Sequence, residues 1–382
     1  SERFKNGMIT ADIDLVRLKN ERRRMTTCQP GTEADGYDYM DFTLERTDLT
    51  LNRYIDPAPF VPSDEQERTA RCEEILTIQA MGLKKRLAHT GAKSAVVGIS
   101  GGLDSTLALL VTARAFDMLG IPRENILSVT MPCFGTTART KGNAEKLAEA
   151  YGVTLETVDI KAAVDQHFED IGQSKEDLSV TFENGQARMR TLVLMNLANK
   201  TGGMVVGTGD LSELALGWAT YNGDHMSMYG VNGSIPKTLV RYLVAYEADR
   251  VQGELSDVLR DVLDTPVSPE LLPPKDGEIS QKTEDLVGPY ELHDFFLYYM
   301  LRFGYPPRKI YRAARKTFAG VYDDATIKKW LTTFVRRFFT QQFKRSCLPG
   351  GPEVGTVTLS PPGGCRKPSD AVSAQWLREA EN

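Results

Sequence analysis

The sequence predicts an α/β protein: a doubly wound parallel sheet with helices on both faces and an additional helical C-terminal region. Short apolar runs rich in β-branched residues alternate with longer segments that have a helical apolar period. The short runs are apolar at successive positions, which is typical of strands buried on both faces. Strands that alternate with helices favour right-handed βαβ units and a parallel sheet.

The elements follow in order from residue 63. A helix is predicted over residues 63–88, where Ser63 or Asp64 provides the cap and an apolar stripe follows. The predicted strands are residues 95–99, 125–131, 154–160 and 203–208. The predicted helices around them are residues 104–119, 138–151, 162–171, 183–200 and 210–217. Ligands of such sheets bind beyond the carboxyl ends of the strands, so Ser100, Pro132 and Thr208 are expected to converge there.

The turn after the first strand is the most informative stretch of the chain. It contains Ser100, Gly101, Gly102, Asp104, Ser105 and Thr106. Glycines let the backbone approach an anion, and the start of a helix presents free N–H groups, so the turn is a candidate phosphate cradle. The side chains at 104–106 are also expected to cap the helix. Because Asp104 would repel a phosphate unless a cation lay between them, the pattern suggests Mg²⁺. An ordinary strand–turn–helix with a glycine pair is the structural alternative.

A second strand-to-helix corner, at residues 205–213, places Thr208, Asp210 and Glu213 close together in sequence. The spacing of Asp210 and Glu213 is that of a capping box, and this structural interpretation competes with ligand binding.

Three later segments have both a functional and a structural interpretation. Residues 217–225 are rich in glycine, aromatic and polar residues, as ligand loops are; Asp224 and His225 there could be half a metal site, although an ordinary loop pair is favoured. The aromatic run at 295–299 is interpreted as core or subunit interface. The basic stretch at 336–345 is expected to touch substrate phosphates or solvent rather than RNA.

The composition narrows the function classes. The chain has 382 residues, 41% of them hydrophobic and 25% charged, with a net charge of −5, which argues against a dedicated nucleic-acid-binding protein. No apolar run reaches the roughly 18 residues of a membrane span, so no membrane partner is expected. Five scattered cysteines without close spacing indicate reduced thiols and a cytoplasmic location. Four dispersed histidines offer no obvious zinc site.

Residues 1–62 differ in composition and pattern from the rest of the chain. A short strand is expected within residues 11–18, leading into a charged helix over 17–25, and a linker rich in glycine, proline and acidic residues follows.

The turn at 100–105 resembles the pyrophosphate-binding loop of the ATP pyrophosphatases, which cleave ATP between its α and β phosphates. That group includes synthetases for NAD, GMP, asparagine and argininosuccinate, and tRNA-thiolating enzymes. Further segments resemble the synthetase domain of glutamine-dependent NAD synthetases. These segments are residues 183–190, 207–237, 281–292, 294–299 and 342–346. The resemblance covers residues 63–375 and implies an adenine nucleotide alpha-hydrolase-like fold.

The resemblance also implies three regions. Residues 1–62 would be the tail of an upstream, nitrilase-like glutaminase domain plus a linker, 63–345 the ATP-pyrophosphatase NAD synthetase domain, and 346–382 a C-terminal extension. The Cys-Glu-Lys site of the glutaminase would lie upstream and is absent from this chain. A homodimer core within a larger homo-oligomer is the implied assembly.

The implied reaction is the ATP-dependent amidation of deamido-NAD by ammonia, with Mg²⁺ as cofactor and with AMP and pyrophosphate as products. The positions that match ATP-binding residues of the family are Ser100, Gly101, Gly102, Asp104, Ser105, Thr208, Lys237 and Ser268. Asp104 and Glu213 match the Mg²⁺ ligands, and these two together with Lys237 are the implied catalytic residues. The positions that match the deamido-NAD site are Arg188, Arg190, Tyr221, Asn222, Asp224, Phe343 and Lys344. Because Arg188 and Arg190 are two positions apart on a helix, only one of them is expected to reach the ligand.

One segment departs from the family pattern. At 360–370 an Arg, an Asp and a Trp of the pattern are replaced by Pro362, Gly364 and Cys365.

Two other functions stay open on the sequence: another ATP pyrophosphatase that amidates or thiolates a different substrate, and a non-catalytic nucleotide-binding fragment. A tRNA-modifying relative would be expected to have a basic surface and paired cysteines.

Overall fold

The computed structural model describes residues 3–27, 38–43, 45, 50–265, 271–272, 283–360 and 364–381. Its strands are β1 (Ala95–Gly98), β2 (Ile126–Thr130), β3 (Thr154–Thr157), β4 (Met204–Gly207) and β5 (Tyr229–Gly230). The helices that precede or surround the sheet are α1 (Leu15–Arg24), α2 (Glu65–Thr90), α3 (Leu103–Leu119), α4 (Ala138–Tyr151), α5 (Lys161–Ile171), α6 (Val180–Thr201), α7 (Leu211–Leu216), α8 (Lys237–Arg250) and α9 (Glu254–Leu263). The later helices are α10 (Thr283–Val287), α11 (Tyr290–Phe303), α12 (Pro307–Thr317), α13 (Asp324–Thr340), α14 (Gln342–Arg345) and α15 (Ala374–Glu381).

The five strands form one parallel sheet in the order β3-β2-β1-β4-β5. The chain winds outward from β1 to β3 and then returns to the other side of β1 to place β4. The strand order therefore reverses between β1 and β4, and in sheets of this kind a crevice opens at that point, beyond the carboxyl ends of the strands.

The sheet is buried on both faces. In β1, Ala95 and Val97 pack in the larger core, to which α2, α3, α8 and α9 contribute. Val96 points the other way and packs with Phe168 and Phe182 of α5 and α6. This two-faced burial explains the continuous apolar run in the sequence, and the predicted doubly wound α/β class is confirmed.

A separate helical region packs beside the sheet. Its core is rich in aromatic side chains from α11, α12 and α13 and includes the apolar side of the short helix α7. Phe295 and Phe296 are fully buried there, so the aromatic run at 295–299 is core, one of its two predicted roles.

Most predicted boundaries lie within a few residues of the observed ones. The prediction of α4 over 138–151 is confirmed in full, and β1 ends one residue before its predicted limit. The two-residue strand β5 was not predicted, because two residues carry no recognisable period.

The predicted strand near the N-terminus is wrong. In the described residues, 11–14 form no strand, and the helix runs over Leu15–Arg24 rather than 17–25. The carboxylate of Asp14 accepts a hydrogen bond from the backbone N–H of Arg17 at 3.0 Å and so caps the helix. It also pairs with Arg53 at 2.8 Å and contacts Lys309, which anchors the N-terminal segment on the helical region.

Two further observations bear on the sequence predictions. Across the described parts of the chain, no helix is both long and apolar enough to cross a bilayer. The four described cysteines, at positions 72, 133, 347 and 365, are free thiols.

Candidate active site

The turn after β1 has the tight geometry that its glycines require. Gly101 has φ +81°, and a Cβ there would lie 2.2 Å from the carbonyl oxygen of Thr140. Both facts exclude any other residue without movement of the backbone. Gly101 therefore brings the chain directly against α4 before it enters α3.

The helix start after this turn differs from the prediction. The side chains at 104–106 do not cap α3; its N-cap is Gly102, with no side-chain hydrogen bond. The hydroxyls of Ser105 and Thr106 instead donate back to the carbonyl oxygen of Gly102, at 3.0 and 2.9 Å. The positive end of α3 therefore has no carboxylate cap of its own, which suits an anion-binding turn.

A cavity of about 250 Å³ opens where the strand order reverses. Ser100 and Asp104 line it from the first corner, Thr208 and Glu213 from the second. The lining from β2 is Thr130 and Met131 rather than the expected Pro132, so the predicted convergence of strand ends is confirmed for Ser100 and Thr208.

The most unusual feature of the cavity edge is a buried ammonium among three carboxylates. Nζ of Lys237 lies 2.6 Å from Asp104, 2.5 Å from Asp210 and 2.9 Å from Glu213. Lys237 is 3% exposed and Asp210 is fully buried. With all groups ionised, two negative charges remain uncompensated in this cluster.

Burial and charge shift the pKa values of these groups. Burial alone would lower the pKa of Lys237, but attraction to the three carboxylates outweighs it, and the pKa lies well above its usual value. Burial raises the pKa of Glu213 to about 7, against the attraction of Lys237 and with added repulsion from Asp104. The pKa of Asp210 is raised for the same reasons.

The three carboxylates also fit a hard divalent cation. Oxygen atoms of Asp104, Asp210 and Glu213 lie within 4.8 Å of one another, and within the described ranges this is the one such group of potential ligands. Oδ1 of Asp104 is buried without a hydrogen-bond partner. Carboxylate oxygens with unbalanced charge are the ligand set that Mg²⁺ prefers.

The two interpretations of the Asp210–Glu213 pair turn out to be compatible. Oδ1 of Asp210 accepts a hydrogen bond from the backbone N–H of Glu213 at 2.9 Å, which caps α7. The reciprocal half of a capping box is not formed, because the carboxylate of Glu213 turns to Lys237. The cap thus directs Glu213 into the cluster.

Asp224 and His225 stabilise the loop that follows α7. Asp224 accepts a hydrogen bond from the backbone N–H of Thr220 at 2.7 Å, and Nδ1 of His225 lies 2.8 Å from the carbonyl oxygen of Thr220. Both residues line the cavity, and neither belongs to the carboxylate group described above. Asn222, at the tip, has φ +53°, a left-handed conformation that asparagine tolerates.

The structure separates the two predicted arginines. Arg190 lines the cavity, whereas Arg188 is exposed and donates from Nε to the carbonyl oxygen of Tyr221 at 3.2 Å. Of the two, only Arg190 therefore faces the cavity, and its contact with a ligand stays a prediction. Arg188 stabilises the loop instead.

The predicted pair Phe343 and Lys344 also contacts this loop. The rings of Phe343 and Tyr221 lie 5.4 Å apart. Nζ of Lys344 donates to the carbonyl oxygens of Gly217 and Ala219 at 2.9 and 2.6 Å. In this structure Lys344 thus binds the loop backbone, and Ser268, the remaining predicted residue, lies outside the described residues.

Two cations of the basic stretch at 336–345 bind backbone carbonyls rather than solvent, and contact of this stretch with substrate phosphates stays a prediction. Arg337 donates to the carbonyl oxygen of Leu216 at 2.9 Å, and Arg345 to those of Leu214 and Ala215 at 2.9 and 3.0 Å. These cations face the C-terminal end of α7, where the helix dipole is negative.

Sequence reasoning missed one buried side chain that joins the two corners. Asn232, which follows β5, is fully buried, and its amide donates to the carbonyl oxygens of Asp104 and Thr208 at 3.0 and 3.1 Å. Gln79 of α2 donates to the side-chain oxygen of Asn232 at 3.2 Å. Nothing in the spacing of these residues signals the contact, because they come from four distant segments.

Part of the segment that departs from the family pattern packs on α13. Nζ of Lys367 donates to the carbonyl oxygen of Phe338 at 3.1 Å and lies 3.6 Å from the centre of the Phe339 ring. Burial lowers the pKa of Lys367 to about 8. Of the three replaced positions, Gly364 and Cys365 are described and Pro362 is not.

Together, the fold and the site define a doubly wound α/β protein with a tight glycine turn and a carboxylate cluster at its topological switch point. A family model described as NAD synthase matches residues 75–314, so the chain belongs to the NAD synthase family. The glutamine-dependent NAD(+) synthetase of Mycobacterium leprae is 42% identical, aligned over 100% of this chain and 61% of the relative. That of Mycobacterium tuberculosis is 41% identical with the same coverage. The chain thus spans about three fifths of the length of these curated relatives.

Two solved structures share the fold. A glutamine-dependent NAD(+) synthetase from Cytophaga hutchinsonii superposes with a TM-score of 0.68 at 18% identity, over 82% of this chain and 56% of that one. An NMN synthetase from Francisella tularensis superposes with a TM-score of 0.53 at 21% identity, over 71% of this chain and 95% of that one.

The first prediction concerns Gly101. We expect Gly101→Ala to lower the free energy of unfolding by about 2–4 kcal/mol, because the new Cβ meets a backbone carbonyl and the left-handed φ becomes strained. Gly102→Ala is the matched control: its Cβ would meet only the Ser100 hydroxyl, at 3.3 Å. Urea denaturation of both variants measures the effect, and equal stabilities would contradict it.

The second prediction concerns the pH dependence of stability. Because the folded-state pKa of Glu213 is raised from 4.5 to about 7, the folded protein holds this proton over a range where the unfolded chain has lost it. The stability from this group is therefore fully present below pH 4.5 and is lost as the pH rises through about 7. Glu213→Gln mimics the protonated form, so we expect it to match wild type at pH 5 and to exceed it by about 1–3 kcal/mol at pH 8.

Urea denaturation at several pH values measures this difference. Glu149→Gln, at an exposed position on α4, is the control and should track wild type throughout. A difference between Glu213→Gln and wild type that stays constant from pH 5 to pH 8 would show that Glu213 does not titrate as described.

Proposed function

We propose that this chain is the synthetase portion of a glutamine-dependent NAD synthetase. In this proposal it joins ammonia to the nicotinate carboxylate of deamido-NAD at the expense of ATP and releases AMP and pyrophosphate. The enzyme is thus a carbon–nitrogen ligase with ATP as a substrate. The observation that carries the proposal is the Lys237–carboxylate cluster beside the anion-binding turn, in a chain of the NAD synthase family.

The chemistry requires activation of a carboxylate. Ammonia cannot displace an oxide-like leaving group, whereas AMP leaves readily once the carboxylate has been adenylated. No covalent nucleophile from the protein is needed. The protein must instead align the carboxylate with the α-phosphorus and balance the charge on the polyphosphate.

The residues of the site divide this work. In the proposal, the backbone N–H groups of the turn at 100–102 and the hydroxyls of Ser100 and Ser105 exchange their hydrogen bonds within the turn for the phosphates that leave as pyrophosphate. The ammonium of Lys237 balances their charge. Asp104 and Glu213, with Asp210 beside them, would hold Mg²⁺, which supplies further charge neutralisation on the polyphosphate oxygens when bound.

The remaining wall of the cavity suits the second substrate. Arg190, Thr208 and Asp224 line it. In the proposal, Arg190 contacts the deamido-NAD phosphates, Thr208 contacts ATP, and the loop bearing Tyr221 and Asn222 faces the dinucleotide. Lys344 acts by holding that loop in place through its two carbonyl contacts.

The three predicted regions and the assembly belong to the same proposal. Residues 1–62 correspond to the tail of a glutaminase domain plus a linker, 63–345 to the synthetase domain and 346–382 to a C-terminal extension. The chain by itself uses free ammonia, and it assembles as a homodimer core within a larger homo-oligomer. A cytoplasmic location is part of the proposal too.

The alternatives predict different products. Another ATP pyrophosphatase would release pyrophosphate only with a different acceptor, and nicotinate mononucleotide belongs in the panel because one solved neighbour is an NMN synthetase. A non-catalytic module would bind ATP and release no pyrophosphate. A panel of acceptors, read by pyrophosphate release, separates these cases.

The third prediction tests the reaction itself. With ATP, Mg²⁺ and deamido-NAD, we expect NAD and pyrophosphate in equal amounts when ammonium is supplied and no NAD when glutamine replaces it. NAD formation with glutamine would reveal a nitrogen-releasing site in this chain. ATP binding without pyrophosphate release from any acceptor would support the non-catalytic module and contradict the proposal.

The fourth prediction tests the carboxylates. We expect Asp104→Ala or Glu213→Ala to abolish pyrophosphate release with the fold intact, because each removal still leaves Lys237 two partners. Asp117→Ala is the control, since Asp117 is half exposed near the far end of α3 and outside the cavity. Circular dichroism checks the fold, and normal pyrophosphate release by either variant would remove that residue from the mechanism.

A further inference from the structure

Helix α8 begins at Lys237, and its first backbone N–H groups are satisfied by side chains of other helices. Its N-cap is Pro236, which provides no side-chain acceptor. The N–H of Lys237 donates to Oγ of Ser212 on α7 at 2.8 Å. The N–H of Thr238 donates to Oδ2 of Asp294 on α11 at 3.0 Å. The start of α8 is therefore fixed by α7 and α11 rather than by its own sequence.

Ser212 and Asp294 form one continuous network. The hydroxyl of Ser212 donates to Oδ1 of Asp294, and the hydroxyl of Thr238 donates to Oδ2 of Asp294 at 2.7 Å. Ser212 and Asp294 are each 1% exposed. These donors and the positive end of the helix offset part of the desolvation of the buried carboxylate, and the loss of one partner leaves a buried polar group unsatisfied.

The same two helices also surround the side chain of Lys237. Glu213, next to Ser212 on α7, contacts its ammonium at 2.9 Å. Tyr290, one turn before Asp294 on α11, places its ring centre 5.4 Å from Nζ. Residues four apart on a helix share a face, so α11 presents Tyr290 to the end of the Lys237 side chain and Asp294 to its backbone.

We propose that Ser212 and Asp294 are positioning residues for the proposed reaction and that they act through Lys237. Neither lines the cavity, so neither is expected to touch a substrate. Together they fix the backbone of Lys237 relative to α7, the helix that bears Glu213. This inference rests on the proposed function, in which Lys237 balances the charge of the polyphosphate.

The expected consequence is a loss of rate rather than of dinucleotide binding. Ser212→Ala leaves the N–H of Lys237 and Oδ1 of Asp294 without partners. Asp294→Asn turns an amide N–H₂ toward the Ser212 hydroxyl, which then has no acceptor there. A displacement of about 1 Å in a charged group can lower a rate by about 100-fold, so we expect kcat to fall by about 10- to 100-fold in both variants. The KM for deamido-NAD should stay within about twofold of wild type, since its contacts lie elsewhere in the cavity.

The matched control is Glu247→Gln. Glu247 is a buried carboxylate, 3% exposed, on the same helix α8 but at its far end, where it pairs with Arg114 and Arg250. We expect this variant to lower thermal stability and to leave kcat and KM unchanged. It therefore separates a general weakening of α8 from a displacement of Lys237.

Hydrogen–deuterium exchange provides a readout that does not need activity. In Ser212→Ala and Asp294→Asn, peptides that cover residues 233–243 should exchange faster, while the rest of the sheet region exchanges as in wild type. In Glu247→Gln, faster exchange should appear at the C-terminal end of α8 instead. If Asp294→Asn fails to fold, Ser212→Ala, which removes a single oxygen, decides the outcome.

The two proposals fail in distinguishable ways. If wild type makes NAD but Ser212→Ala keeps its kcat, or if Glu247→Gln loses as much kcat as Ser212→Ala, the positioning inference is overturned. If wild type makes no NAD, the proposed reaction fails, and exchange alone decides whether Ser212 and Asp294 fix the start of α8. Unchanged exchange over 233–243 in both variants overturns the inference whatever the kinetics show.

Discussion

The contact of the Lys237 ammonium with three carboxylates is the interaction on which the site depends. Asp104 comes from the helix after β1 and Lys237 from the helix after β5, while Glu213 lies on the helix after β4 and Asp210 caps that helix. Without a cation, repulsion and desolvation would oppose three ionised carboxylates held this close together in a folded protein. The lysine thus joins three consecutive corners of the sheet. The same contacts therefore hold these corners together and form the proposed site.

The same cluster links stability to the proposed chemistry. One ammonium leaves two negative charges when all three carboxylates are ionised, and burial of that excess raises the pKa of Glu213 to about 7. A single divalent cation would balance the excess. The site is therefore less stable in its charged, ligand-free form than a neutral version would be. Such a loss of stability is expected where ligand binding, rather than folding, determines the residues of a site.

The sequence predicted the parts of this arrangement that local patterns encode. The run from β1 through Gly101 to α3 and the full span of α4 depend on apolar period, β-branching and glycine, and all of these lie within short windows. The contacts of Asn232, Asp294 and Lys344 could not be derived in that way, because their partners lie between 24 and 153 residues away in the chain. The strand expected within residues 11–18 is wrong because Asp14 caps the helix that begins at Leu15. The ion pair of Asp14 with Arg53, which also holds this segment, joins distant parts of the chain and could not be predicted locally.

The short helix α7 shows how far the site extends along the chain. It has six residues, too few to be stable in isolation. Asp210 caps its start, while Arg337 and Arg345 bind its terminal carbonyls and Lys344 binds the loop that follows. These three cations lie more than 100 residues later than α7: Arg337 is on α13, and Lys344 and Arg345 are on α14. Because Glu213 lies on α7, its position depends on the helical region as much as on the sheet. The C-terminal helices therefore belong to the site, although none of their basic residues lines the cavity.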